Sequence, residues 1–148
     1  IQQCPHDKLF VLTDEHTHPL CLPIISGFDC MKDAIEICIG AEDVNKTLET
    51  LAKVWKALGD QGATRHSLLI NLGGGMVTDL GGFAASTFKR GIKYINIPTT
   101  LLAMVDASVG GKTGINFLLL SLRLLSTVSP TLNFVPSACR PISSGSHK

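Results

Sequence analysis

The apolar positions of this chain change their period along its length. From Thr47 to Leu58 the residues Leu48, Leu51, Val54, Trp55 and Leu58 recur at spacings of three and four, which predicts an amphipathic helix capped by Asn45 or Thr47. Short β-type runs flank it. Phe10-Val11-Leu12-Thr13 stops at the polar Asp14-Glu15-His16, and Pro19 to Pro23 is expected as a connection into the next element. Ala34 to Ile39 alternates loosely, is rich in β-branched residues and ends at Gly40. After a break at Gly59 to Arg65 comes a buried strand, Leu68 to Leu72, that empties into Gly73-Gly74-Gly75. Met76 to Arg90 predicts the next helix and Lys93 to Ile97 the next strand. Pro98 ends that strand, and Thr99-Thr100 can cap a helix through Leu101 to Val105. Strands alternating with helices predict an α/β chain with a parallel sheet flanked by helices. Ligands of such sheets gather at the carboxyl ends of the strands, where Gly73 to Gly75 and Thr99-Thr100 both fall.

Composition narrows the picture by exclusion. A chain of 148 residues has the length of one domain, and 45% apolar content is enough for a core. Formal net charge is +1 and the five histidines are scattered, so neither nucleic acid nor an anionic membrane is expected as a partner. The longest apolar run, Ile115 to Val128, is interrupted by Arg123 and is shorter than the ~18 residues a spanning helix needs. Cys4, Cys21, Cys30, Cys38 and Cys139 are odd in number and hold no C-x-x-C pair, which reads as reduced thiols. The first residues carry neither an initiator Met nor an apolar signal segment, so a cytoplasmic fragment is the expectation.

Two glycine clusters carry the candidate chemistry. Gly73-Gly74-Gly75 precedes a helix whose first N–H groups attract anions, although the run is not the G-x-G-x-x-G fingerprint and a bare structural turn competes with it. Asp79, expected in the first turn of that helix, is suited to a ribose or substrate hydroxyl, or simply to the helix dipole. Gly110-Gly111-Lys112-Thr113-Gly114 is no P-loop, because Ala107 stands at the first glycine position. Lys112 still has room to approach an anion, with Asp106 six residues earlier. Asp43 and Lys46 precede a helix and by pattern alone are a cap and a solvated lysine. His16 and His18 have no third ligand at a completing spacing, so they read as surface residues.

Four blocks, in order, resemble the 3-dehydroquinate synthase family: Asn71 to Ala85, Lys89-Arg90-Gly91, Ile97 to Ala103 and Val105 to Asn116. Lys46 to Thr50 extends the resemblance backwards more weakly. It implies a Rossmann-like N-terminal domain over residues 1–116, with NAD as cofactor. It also implies a phosphate lyase that turns 3-deoxy-D-arabino-heptulosonate 7-phosphate, a sugar phosphate, into 3-dehydroquinate on the shikimate route to aromatic amino acids. A divalent metal, zinc or cobalt, and a homodimer belong to the same expectation. By resemblance Asp43 and Lys46 sit on a cofactor-binding loop, and Gly73, Gly74, Gly75, Met76, Val77, Thr78 and Asp79 lie along the dinucleotide. Thr99 and Thr100 contact the cofactor, and Asp14 meets the adenosine ribose. Asp106 and Lys112 stand at the nicotinamide and substrate end, and Arg90 reaches the substrate phosphate across the dimer. Thr78 replaces the more usual glycine and Asp43 the usual glutamate.

After Asn116 the resemblance stops. Phe117 to Ser121 replaces a glycine-lysine-asparagine segment, no acidic residue follows Asp106, and serine and leucine dominate to Lys148. Residues 117–148 are therefore expected to be an atypical, disordered or frame-shifted tail. The helical C-terminal domain that supplies the family's metal ligands is absent, so no metal residue is assigned. Another sugar-phosphate cyclase, a polyol dehydrogenase of the same fold, and a non-catalytic nucleotide-binding fragment are the alternatives, and the isolated chain is expected to be inactive.

Overall fold

The computed structural model describes residues 1, 3–107 and 113–116. Strands β1 (Leu9–Asp14), β2 (Ile35–Ile39), β3 (Leu68–Gly73) and β4 (Lys93–Pro98) form one parallel sheet in the order β2-β1-β3-β4. Val11 lies opposite Glu36 of β2 on one side and Ile70 of β3 on the other. The inner strands β1 and β3 are buried at every position, and the outer strands are not. That is why the inner strands read as continuous apolar runs while β2 alternates.

Successive side chains of a strand point to opposite faces, and each face has its own core. Phe10, Leu12, Ile37, Ile39 and Leu69 pack against helices α2 (Leu48–Asp60) and α3 (Gly75–Thr87). Leu9, Val11, Leu68, Ile70 and Leu72 pack on the other face around Leu22 of α1 (Thr17–Ser26). The chain thus winds first along one face and then along the other, reversing between β1 and β3. In α2 the residues Leu51, Val54 and Leu58 are fully buried, each contributing about 1.5–3 kcal/mol. Thr47 is its cap, accepting from the Thr50 N–H at 3.2 Å.

Two boundaries differ from the sequence reading. Pro19 to Pro23, expected as a connection, lies within α1. Pro19 falls in the first turn, where a missing N–H breaks no helical bond. Asp14 Oδ1 starts the helix by accepting from the N–H groups of His16 at 2.9 Å and Thr17 at 2.7 Å, and Leu22 anchors it in the core. These contributions outweigh the interior Pro23. Helix α3 stops at Thr87 rather than Arg90, because Lys89 (φ 46°) and Arg90 (φ 71°) turn left-handed ahead of Gly91.

Helix α3 lies unusually close to the sheet. A Cβ at Gly81 would stand 2.0 Å from Asn71 Oδ1, and one at Gly73 would stand 2.6 Å from the Val77 side chain. Asn71 is fully buried and donates through Nδ2 to Asn96 Oδ1, its register partner on β4, at 2.8 Å. Gly81→Ala should therefore lower the unfolding free energy by about 1–3 kcal/mol. Gly59→Ala in α2, where a new methyl meets nothing within 4 Å, should raise it by about 0.5–1 kcal/mol. Urea unfolding of the two variants measures both signs, and equal effects would refute the close-approach account.

Candidate functional site

The reversal between β1 and β3 opens a crevice at their carboxyl ends, the position where open α/β sheets take ligands. Thr17 ties its two sides together by donating from Oγ1 to Leu72 O at 3.1 Å. Asp14 Oδ1 lies 3.0 Å from this same hydroxyl, sharing its one proton with Leu72 O, and since it also accepts from the His16 and Thr17 N–H groups that oxygen is committed to starting α1. Thr17 carries no glycine-rich or charged signal, and only the spacing Asp14-x-x-Thr17 could have pointed to it.

The turn after β3 forms the floor. None of Gly73, Gly74 and Gly75 has a left-handed backbone, and it is at Gly73, against the Val77 side chain, that glycine is required for room. Thr99 N donates to Gly73 O at 2.9 Å, and a Cβ on Gly74 would meet Thr100 Cγ2 at 3.3 Å, which brings the two loops together as the sequence pattern implied. At Gly75, the first residue of α3, a Cβ would meet nothing within 4 Å among the described residues. Among the described residues no side chain caps this helix start or fills the space beside it, which suits an anion. Met76 is half-buried. Val77 and Thr78 are fully buried, with Thr78 Oγ1 donating to Gly74 O at 3.2 Å, so any ligand contact they make is through backbone.

Asp79 is not in the first turn of α3 but one turn further on, because the helix already begins at Gly75. Its carboxylate is ion-paired with Lys46 Nζ, with side-chain exposures of 22% and 16% respectively. Asp43 does not cap α2. It opens a single 3-10 turn, Asp43–Asn45, and its side chain is exposed. Asp106 lies beyond β4 on the short turn Ala103–Ala107, exposed on the side of α3. Arg90 is exposed at the opposite edge of the sheet, since α3 carries the chain about 20 Å away from Gly75. Lys112 lies outside the described residues.

Residues 113–116 return to this site, as the resemblance of residues 105–116 implied, but no sequence pattern indicated that Asn116 meets the Asp43–Lys46 turn. Asn116 N donates to Lys46 O at 2.6 Å and Gly114 N to Asp79 O at 3.3 Å. Elsewhere His18 bonds Glu36 at 3.3 Å, and Cys4, Cys21, Cys30 and Cys38 are free thiols. Desolvation pushes the Cys38 thiol up, helped by Glu15 and Asp14 against a bond from Thr13, which keeps it protonated and a poor nucleophile. Among the described residues no three His, Cys, Asp or Glu side chains are grouped to hold a metal ion, and no helix is long and apolar enough to cross a membrane.

A doubly wound parallel sheet with a small-residue turn at its switch point defines a Rossmann-like domain. The family model described as 3-dehydroquinate synthase N-terminal matches residues 36–130, and the chain belongs to that family. A 3-dehydroquinate synthase from Parabacteroides distasonis is 56% identical over 112 residues, covering 76% of this chain and 32% of the relative. The chain spans about a third of the length of such curated relatives. A solved 2-epi-5-epi-valiolone synthase from Streptomyces hygroscopicus, with NAD+ and Zn2+ bound, superposes with a TM-score of 0.68 at 34% identity, over 78% of this chain and 33% of that one. A 2-deoxy-scyllo-inosose synthase complexed with carbaglucose-6-phosphate, NAD+ and Co2+ gives 0.72 at 24% identity, over 78% and 32%, a likeness of fold alone.

Removing either partner of the Lys46–Asp79 pair leaves a largely buried charge. Lys46→Ala should destabilise the chain by about 1–2 kcal/mol, between the values for exposed and fully buried pairs. Adding Asp79→Ala should then cost less than the sum of the single changes. A double-mutant cycle by urea unfolding reads the coupling, and strict additivity would show that the pair carries none.

Proposed function

We propose that residues 1–116 are the dinucleotide-binding domain of a 3-dehydroquinate synthase. The observation that carries this is the start of α3 at Gly74-Gly75, uncapped and unobstructed among the described residues and set beside Thr99-Thr100 and the Lys46–Asp79 pair. The NAD+ bound by the solved valiolone synthase supports the reading, as do the names of the curated relatives. In this proposal the N–H groups at the head of α3 receive the pyrophosphate of NAD+, where the helix dipole favours negative charge. Lys46 and Asp79 offer a donor and an acceptor to a ribose diol, with Asp43 and Asp14 at the rim. The hydroxyls of Thr99 and Thr100 line the far side of the turn, and Asp106 and Lys112 are assigned by resemblance to the reacting end. The bound nicotinamide supplies a hydride acceptor that afterwards becomes the donor.

For the whole protein we propose conversion of 3-deoxy-D-arabino-heptulosonate 7-phosphate to 3-dehydroquinate and phosphate in the cytoplasm. The described residues do not furnish a metal site, so in this proposal zinc or cobalt is held by the part of the full-length enzyme that this chain does not span. Arg90, far from the glycine turn of its own chain, is suited to reaching the substrate phosphate of a second copy in a homodimer. Residues 117–148 are proposed as an atypical tail outside this domain. A second reading, another sugar-phosphate cyclase, has its support in the valiolone and inosose synthase folds. Product analysis of the full-length protein separates the two.

Calorimetric titration of the 148-residue chain should show NAD+ binding at about millimolar concentration, and no heat there overturns the reading. Gly75→Asp places a carboxylate at the anion position and at a helix start, so it should hold or raise Tm while weakening NAD+ binding about tenfold or more. Phosphate release from the heptulosonate substrate is expected of the full-length enzyme and not of this chain alone.

A further inference from the structure

The turn that carries Asp43 and Lys46 has no apolar anchor. None of its residues Asp43–Asn45 is buried, Val44 is 74% exposed, and Glu42 ahead of it holds φ 73° with ψ 152°, a backbone state that a non-glycine residue keeps only when its surroundings impose it. Hydrogen bonds must therefore fix its position. Asn45 Nδ2 donates to Ala41 O from within the loop. From outside, Asn116 supplies two more, its Nδ2 donating to Asp43 O at 3.2 Å and its backbone N–H to Lys46 O at 2.6 Å. Residues 113–116 are themselves seated on α3. Gly114 N donates to Asp79 O at 3.3 Å, and Thr113 Cγ2 lies so close to Gly82 that a Cβ there would approach to 2.5 Å.

We propose that Asn116 is a positioning residue for dinucleotide binding. Standing at the end of a segment seated on α3 by Thr113 and Gly114, it fastens the Asp43–Lys46 turn to the helix that carries Asp79, and so sets how the Lys46–Asp79 pair is presented to a ligand diol. The inference rests on the dinucleotide reading above. Asn116 is exposed, so its truncation opens no cavity in either core. What truncation removes is the side-chain hydrogen bond to Asp43 O, which leaves the Asp43 end of the turn free to shift while the backbone bond to Lys46 O remains.

The test is NAD+ titration of the 148-residue chain carrying Asn116→Ala or Asn116→Asp, with thermal unfolding of each without ligand. Aspartate keeps the size but cannot donate to Asp43 O. Both variants should bind NAD+ about fivefold more weakly, as expected for one lost hydrogen bond, with Tm within about 2 °C of the unaltered chain. Affinities within twofold of an unaltered chain that does bind would overturn this inference and leave the dinucleotide reading standing. A fall in affinity matched by a large fall in Tm would assign Asn116 a structural role only and overturn it as well. Failure of the unaltered chain to bind NAD+ would overturn both.

Discussion

Helix α3 can lie on strand β3 only because the residues between them are small. Asn71 Oδ1 occupies the space that any side chain at position 81 would need, and Val77 fills the space above Gly73. This close seating brings the start of the helix down onto the carboxyl ends of β3 and β4, so that Thr99 N reaches Gly73 O and the two loops share one floor. A helix held further out by larger side chains would still bury Leu80 and Ala84. It would not present its first N–H groups beside the crevice.

The second constraint is electrostatic accounting at that edge. Strand ends and a helix start leave backbone groups without partners, and the crevice satisfies them with side chains that link distant segments. Asp14 starts α1, Thr17 bridges to Leu72 O, and Asn116 takes Asp43 O and Lys46 O. Lys46 and Asp79 compensate each other across the gap between the Asp43–Asn45 turn and α3. The start of α3 differs, since among the described residues it has no side-chain cap and open space beside it. That contrast makes it the natural seat for an anion.

Most of the fold was legible from local pattern. The periodicity of Leu48 to Leu58 marked α2, and the apolar runs at Phe10 and Leu68 marked the central strands, because burial on both faces leaves few polar positions in them, Asn71 among these. Helix α1 was not legible. Its prolines argue locally for a connection, whereas the bonds that start it come from Asp14 and its anchor is Leu22 in the core that Val11 and Ile70 share. The end of α3 was misread for a similar reason, since Lys89 and Arg90 are ordinary helix formers turned left-handed by the approach to β4, with Lys89 Nζ held at 2.6 Å from Ala63 O. In the site, the glycine turn and the Thr99-Thr100 pair stood out by type and by their place at strand ends. The roles of Thr17 and Asn116 did not, for polar residues of those types are common on any surface.

By itself the sequence determined the alternation of strand and helix, the parallel sheet, the carboxyl-edge location of the glycine turn and the membership of its family, since each rests on residue type and local spacing. Only the tertiary structure decided that Asp79 faces Lys46, that Asp14 is committed to α1, that Arg90 stands at the far edge, and that Asn116 joins the Asp43 turn to α3. Those facts depend on contacts between segments far apart in the chain. The local pattern records which side chains are buried, and it does not record which distant polar group each of them meets.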